Sequence, residues 1–334
     1  MSFVENDMET DRDKNLSVKQ AREKIVWLRE TLGNVVIGQD EVVDQVIVAL
    51  LCNGHVLLEG VPGLGKTLLV KTLACCFSGK FKRIQFTPDL MPSDMTGHAI
   101  YDMNQGKFNI RLGPVFTNLL LADEVNRAPA KTQAALLEVM QENQVTIEGK
   151  RYPLKPPFMV LATQNPVEQD GTYPLPEAEL DRFLLKVFID YPSLIDEKKL
   201  VSKISNGEIS IETIDGDSKG NFHPEDIIQL QQAVRSITLD ETVLDYAVRL
   251  VHATRTNGAI LKGAGPRASI GLIISAKAFA LMSGRTFVLP DDVKQMAKPV
   301  MRHRILLSPD TEIEGFSADQ VIDQILQSVD APRE

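Results

Sequence analysis

The sequence predicts an α/β fold: a parallel sheet flanked by helices, followed by a smaller all-helical region. Three observations predict it. Short apolar runs alternate with helical stretches between residues 56 and 189. The first run, Val56-Leu57-Leu58-Glu59, leads into a glycine-rich loop and then a helix, the order in which a parallel sheet builds an anion site. After Tyr191-Pro192 the periodicity becomes helical.

Taken in order, residues 1–16 read as a polar tail. Val18, Ala21, Ile25, Leu28 and Leu32 recur at helical spacing, predicting a helix over 17–32 stopped by Gly33, and a second helix follows over 40–51. After the glycine loop a helix is expected over 67–77 and a short strand over 83–87. The irregular stretch 89–113 holds a candidate hairpin, 98–101 with 107–111, around Asn104-Gln105-Gly106. Leu119 to Ala122 is an apolar strand ending in Asp123-Glu124, and a helix follows over 130–142. A second hairpin pairs 144–148 with 151–154 through Gly149-Lys150. The strand 158–162 ends in Thr163-Gln164-Asn165, and a last strand, 186–189, follows Arg182. Beyond residue 192, helices are expected over 196–204, 224–236, 240–257, 268–283 and 290–303, with a polar loop over 206–221. The polar side chains of interest cluster where strands end, as in sheets that bind ligands at the carboxyl edge.

The 334 residues are 43% hydrophobic and 24% charged, which places the chain among globular proteins with room for two domains. The net charge of −9 argues against broad binding to nucleic acid or membrane surfaces. No apolar stretch approaches a membrane span and the N-terminus is not signal-like, so a cytoplasmic location is expected. Cys52, Cys75 and Cys76 lack zinc-ligand spacing and read as reduced core thiols.

Gly60-Val61-Pro62-Gly63-Leu64-Gly65-Lys66-Thr67 fits the phosphate-binding pattern of nucleotide triphosphatases. Glycines let successive backbone N–H groups curl around phosphate. Lys66 would reach the β- and γ-phosphates, and the Thr67 hydroxyl would ligate Mg²⁺. Leu68, next on the helix, belongs to the same nucleotide-contacting set. Asp123 would hold Mg²⁺, and Glu124 would polarise the attacking water as general base. Asn165 has two readings: an amide that orients water or senses the γ-phosphate, or a turn former before Pro166. Arg182 and Arg267 suit developing phosphate charge, although a single Arg is ordinarily a surface ion pair. His303 reads as structural.

In order and spacing these segments resemble the MoxR family of AAA+ ATPases. The resemblance rests on the phosphate loop, the run 120–128 with Asp123-Glu124-Val125-Asn126-Arg127, the helix residues Leu136-Leu137-Glu138, Ala162-Thr163-Gln164-Asn165-Pro166, Leu180-Asp181-Arg182-Phe183 and Gly265-Pro266-Arg267-Ala268. It implies an AAA+ core over 17–192 and an all-α lid over 193–334, with ATP and Mg²⁺ as ligands. Asn165 matches sensor 1, and Arg182 the finger that reaches a neighbouring subunit's nucleotide. Arg267 matches sensor 2, expected over the γ-phosphate of its own subunit. Val36-Ile37-Gly38-Gln39 matches the adenine-pocket segment, and the first hairpin resembles an insert pointing toward a ring pore. The resemblance further implies a homohexameric ring that remodels or matures a protein client, by metal insertion or complex assembly. A separately encoded von Willebrand factor A-domain partner is also implied. An alternative is an ATP-gated binding module in which hydrolysis only resets a switch. A DNA-dependent motor fits the acidic chain poorly. Met301-Arg302-His303-Arg304 resembles the family's end segment without an assigned role.

Overall fold

The computed structural model describes residues 16–61, 63–165, 172–207 and 222–332. The expected tail and most of the polar loop over 206–221 lie outside the described residues. Helices α1 (Val18–Val35) and α2 (Asp40–Leu51) precede β1 (Val56–Glu59), which leads to α3 (Lys66–Cys76) and β2 (Phe81–Gln85). The short α4 (Pro92–Thr96) opens a hairpin of β3 (Gly97–Asp102) and β4 (Lys107–Leu112). Then come β5 (Leu119–Asp123), α5 (Ala130–Glu142), a second hairpin of β6 (Gln144–Ile147) and β7 (Lys150–Pro153), β8 (Met159–Gln164), α6 (Glu177–Leu180) and β9 (Leu185–Phe188).

β2, β5, β8, β1 and β9 form one sheet in that order, with every pairing parallel. Both faces are covered, which explains why these strands read as unbroken apolar runs rather than alternating ones. Leu57, Leu120 and Val160 pack with Leu136, Leu137 and Met140 of α5. Their strand neighbours Leu58, Leu121 and Leu161 point to the opposite face, against α1, α2 and α3.

The helical region comprises α7 (Leu194–Ser205), α8 (Pro224–Ser236), α9 (Glu241–Thr256), α10 (Pro266–Met282), α11 (Pro290–Met301), α12 (Pro309–Ile313) and α13 (Ala318–Ser328). A two-stranded ribbon joins β10 (Ile260–Lys262) to β11 (Leu306–Leu307). Its buried residues, among them Leu230, Tyr246, Leu272 and Val300, belong to the same apolar cluster as α1 to α3. The segment after α11 fastens this region to β9. Arg304 donates from Nε to Asp181 Oδ1 at 2.7 Å, from Nη2 to the Phe183 carbonyl at 2.6 Å and from Nη1 to the Leu184 carbonyl at 3.0 Å. His303 Nε2 lies 3.0 Å from the Phe183 carbonyl oxygen. Arg302 pairs with Asp319 at 2.9 Å and stacks over Phe188. Met301 to Arg304 thus has a structural role, a clamp between helices and sheet.

Several expected boundaries shift. α1 continues through Gly33 to Val35, closing where buried Val36 donates its N–H to the Leu32 carbonyl. β2 begins at Phe81, where pairing with Leu119 starts. The second hairpin turns at Glu148-Gly149, both at positive φ, one residue earlier than expected.

Candidate active site

The phosphate loop leaves β1 at its carboxyl end. Gly60 passes so close to β9 that a Cβ there would lie 2.4 Å from the Ile189 carbonyl oxygen. Gly65 takes φ 77° immediately before α3, a conformation open to glycine without strain. Lys66 is therefore the first residue of α3, and its ammonium donates to the Gly60 carbonyl at 2.5 Å. Burial pulls the Lys66 pKa down, and the nearby Asp123, Glu124 and Glu59 carboxylates oppose that pull.

A cavity of about 540 Å³ opens here, lined by Gly63, Gly65, Lys66, Thr67, Leu68, Asp123, Glu124 and Asn165. The structure thus brings the loop, both acids and the end of β8 together. Lys71, Arg83, Thr163 and Ile204, none of them expected from the sequence, complete the lining. Leu64 packs against the apolar cluster instead, Gly60 contributes its carbonyl, Val61 is not in the lining, and Pro62 lies outside the described residues. Ile37, Gly38 and Gln39 do not line the cavity either. Gln39 donates to the Asp190 carbonyl at 2.6 Å, and Gly38 abuts Asp196. The segment thus braces the start of α7, whose far end supplies Ile204.

The two acids are held differently. Thr163 donates its hydroxyl to Asp123 Oδ1 at 2.5 Å and accepts the Glu124 backbone N–H at 2.8 Å. Asp123 Oδ2 accepts a fork from Arg83, at 2.5 Å from Nη2 and 3.0 Å from Nε. Glu124 sits at φ 56°, ψ 52°, which turns its carboxylate off the line of β5. One of its oxygens accepts from Gln85 at 2.6 Å and from Arg127 at 3.0 Å. Arg83 also donates to Gln85 Oε1 at 3.0 Å. The sequence offered one signal for these partners: residues 83 and 85 lie two apart on one strand, hence on one face. The sheet then sets Gln85 in register with Asp123. Asn165 is buried where β8 ends. The donor set suits Mg²⁺. The Thr67 hydroxyl and Asp123 carboxylate are hard oxygens, and this ion takes one or two protein oxygens beside phosphate and water. No denser cluster of metal-ligating side chains occurs among the described residues.

Arg182 and Arg267 lie elsewhere. They share a second cavity, about 280 Å³, with Asn53, Gly54, His55 and Arg304. Residues 52–55 precede β1 and residues 181–184 precede β9, so this cavity lies at the amino edge of the sheet. The phosphate loop lies at the carboxyl edge, about 13 Å away along four residues of strand. Arg267 was expected over its own subunit's γ-phosphate; in this structure it lines the amino-edge cavity instead. The cause is the docking of α10, whose Arg267 pairs with Asp181 at 3.6 Å, beside the Arg304 clamp. In the wall of this cavity His55 is buried. Its Nδ1 accepts the Val160 N–H at 3.0 Å and its Nε2 faces the Met140 carbonyl oxygen at 3.0 Å. Burial lowers its pKa to about 4.

Comparison with known proteins agrees with this geometry. The ATPase family associated with various cellular activities (AAA) matches residues 55–185, and the AAA lid domain matches 252–325. Chaperone MoxR1 of Mycobacterium tuberculosis is 44% identical over 308 residues, covering 90% of this chain and 80% of that protein. The uncharacterized protein YeaC of Bacillus subtilis is 44% identical over 303 residues, covering 91% and 93%. A crystal structure of a proposed ATPase from Cytophaga hutchinsonii superposes with a TM-score of 0.86 at 43% identity, covering 95% of this chain and 97% of its own. A phosphate loop facing an acid pair across one parallel sheet, a helical lid behind it and relatives of this similarity over nearly the whole length lead to one assignment: the chain belongs to the MoxR family of AAA+ ATPases.

Proposed function

We propose that the chain hydrolyses ATP at sites shared between subunits of a ring and uses the cycle to remodel or mature a protein client. The observation that carries this reading is the division of the polar side chains between the two edges of the sheet. Lys66, Thr67, Asp123, Glu124 and Asn165 face one cavity, whereas Arg182 and Arg267 face another. The loop N–H groups and Lys66 bind the phosphates. Thr67 and Asp123 would hold Mg²⁺, which when bound would supply positive charge against the nucleotide's phosphates. Glu124 accepts the proton of the attacking water, and Asn165 positions that water. Ile204 would offer the adenine an apolar contact, with Ile37, Gly38 and Gln39 bracing α7 behind it. Arg182 and Arg267 act as a pair on the nucleotide of the next subunit, since both lie a strand's length from their own.

A heterologous contact of this kind closes into a ring when the rotation allows, and six subunits are the family expectation. The client-directed role is supported by the relative named Chaperone MoxR1. A von Willebrand factor A-domain adaptor and a cytoplasmic setting complete the proposal. No helix among the described residues is long and apolar enough to cross a membrane. The test mixes Arg182→Ala with Lys66→Ala subunits, each inactive alone. Mixed rings regain turnover if the arginine acts across the interface, because some interfaces then carry both intact halves. No recovery in rings verified as mixed would refute the shared site.

A further inference from the structure

The Mg²⁺ position is guarded by a side chain that the hydrolysis mechanism does not use. Both oxygens of Asp123 are engaged, Oδ1 by the Thr163 hydroxyl and Oδ2 by the Arg83 guanidinium. Thr163 is anchored in turn by the Glu124 N–H, so its contact belongs to the sheet framework. Arg83 is different: its side chain is about half exposed, whereas that of Asp123 is 16% exposed. A cation that binds Asp123 through Oδ2 competes with the guanidinium for the same lone pairs. The contact also extends sideways. Arg83 Nη2 lies 3.0 Å from Gln85 Oε1, and Gln85 Nε2 lies 2.6 Å from Glu124 Oε2. Asp123, Arg83, Gln85 and Glu124 thus form a continuous chain from the metal ligand to the water-polarising carboxylate.

We propose that Arg83 is a metal-displaced latch: Mg²⁺ arriving at Asp123 evicts the guanidinium, which also gives up its contact to Gln85. Arg127 holds the Glu124 carboxylate independently of Arg83. Nucleotide that binds without metal leaves the latch closed. Arg83 is a positioning residue here, acting on Asp123. The inference rests on the nucleotide-site reading above.

The test measures Mn²⁺ affinity by electron paramagnetic resonance in the full chain carrying Glu124→Gln and loaded with ATP. Adding Arg83→Met, which removes the competitor, should tighten Mn²⁺ binding about fivefold, the scale of a half-exposed ion pair. Arg83→Lys, which keeps the charge and loses the fork, should give a smaller gain. Lys71→Met removes a charge from the same cavity and should change the affinity less than about twofold. With Glu124 intact, Arg83→Met should lower the Mg²⁺ concentration for half-maximal turnover by the same factor as the Mn²⁺ gain. Unchanged or weaker Mn²⁺ binding in Arg83→Met overturns the latch, and so does an equal gain in Lys71→Met, which would mark a bulk charge effect. Circular dichroism confirms that each variant is folded. Titration of a fluorescent ATP analogue with Mg²⁺ present separates the two readings. Loss of binding by the parent protein sinks the nucleotide site, whereas intact binding without the Mn²⁺ gain sinks only the latch.

Discussion

At the carboxyl edge of the sheet, functional side chains are placed by strand register. Arg83 and Gln85 on β2, Asp123 on β5 and Thr163 on β8 meet because three neighbouring strands pair in parallel. At the amino edge, Arg182 is placed by packing from a distance. Its neighbour Asp181 is held by Arg304 and Arg267, both from the helical region. The nucleotide-site side chains therefore rest on parallel strand register. The arginines proposed to serve a neighbour rest on the attachment between sheet and helices, and a shift in that attachment moves them without touching the phosphate loop.

The sharpest way to break this comparison is Arg182→Ala. Turnover should fall about a thousandfold, as for other arginines supplied to a phosphoryl-transfer site, with nucleotide affinity unchanged in fluorescence titration. A large loss of affinity in isolated subunits would instead place the arginine in its own site. Glu124→Gln should slow phosphate release about a hundredfold or more while ATP binding persists. Unchanged turnover would remove Glu124 from the mechanism. Arg304→Met tests the clamp. It leaves Asp181 without its closest partner and should lower unfolding free energy by about 2 kcal/mol. It should also lower kcat about tenfold with KM unchanged, since only the neighbour-facing arginine is misplaced. A KM defect alone would contradict this.

The smallest expected effect concerns acid. His55 has a folded pKa of about 4 against 6.5 for an unperturbed group. The unfolded chain therefore takes up the proton first. Stability is complete above pH 6.5 and is lost as pH falls toward 4. Between pH 7 and 5 this amounts to about 2 kcal/mol. His303 adds in the same direction, because burial and the adjacent Arg304 push its pKa well below the usual value. Urea unfolding at the two pH values measures the slope. His55→Gln, which retains a donor and an acceptor without titrating, should flatten it.

Much of this architecture was legible in the sequence, because each sheet strand is short, apolar and followed by a polar terminus. The pattern located all five strands, and the bounds of α5 and α8 match the expected ones. The phosphate loop announced itself by glycine spacing, and Asp123-Glu124 by its place after an apolar run. Arg83 and Gln85 were less visible, since their meaning depends on β2 lying beside β5, which spacing along the chain does not encode. The cavity that Arg267 lines was hidden for a related reason. The sequence shows that α10 exists but not the sheet edge on which it docks. α13 was overlooked although Ser317 and Gln320 form a capping box ahead of buried Val321, Ile322 and Ile325.

The three residues that close α11 have a mechanical consequence. Arg302, His303 and Arg304 grip the backbone from Phe183 to Lys186, immediately after Arg182. Any force on the helical region is delivered to that point through a lever only a few residues long. In the proposed ring, a client that pushes on one protomer's helices thereby sets the hydrolysis clock of the protomer next door.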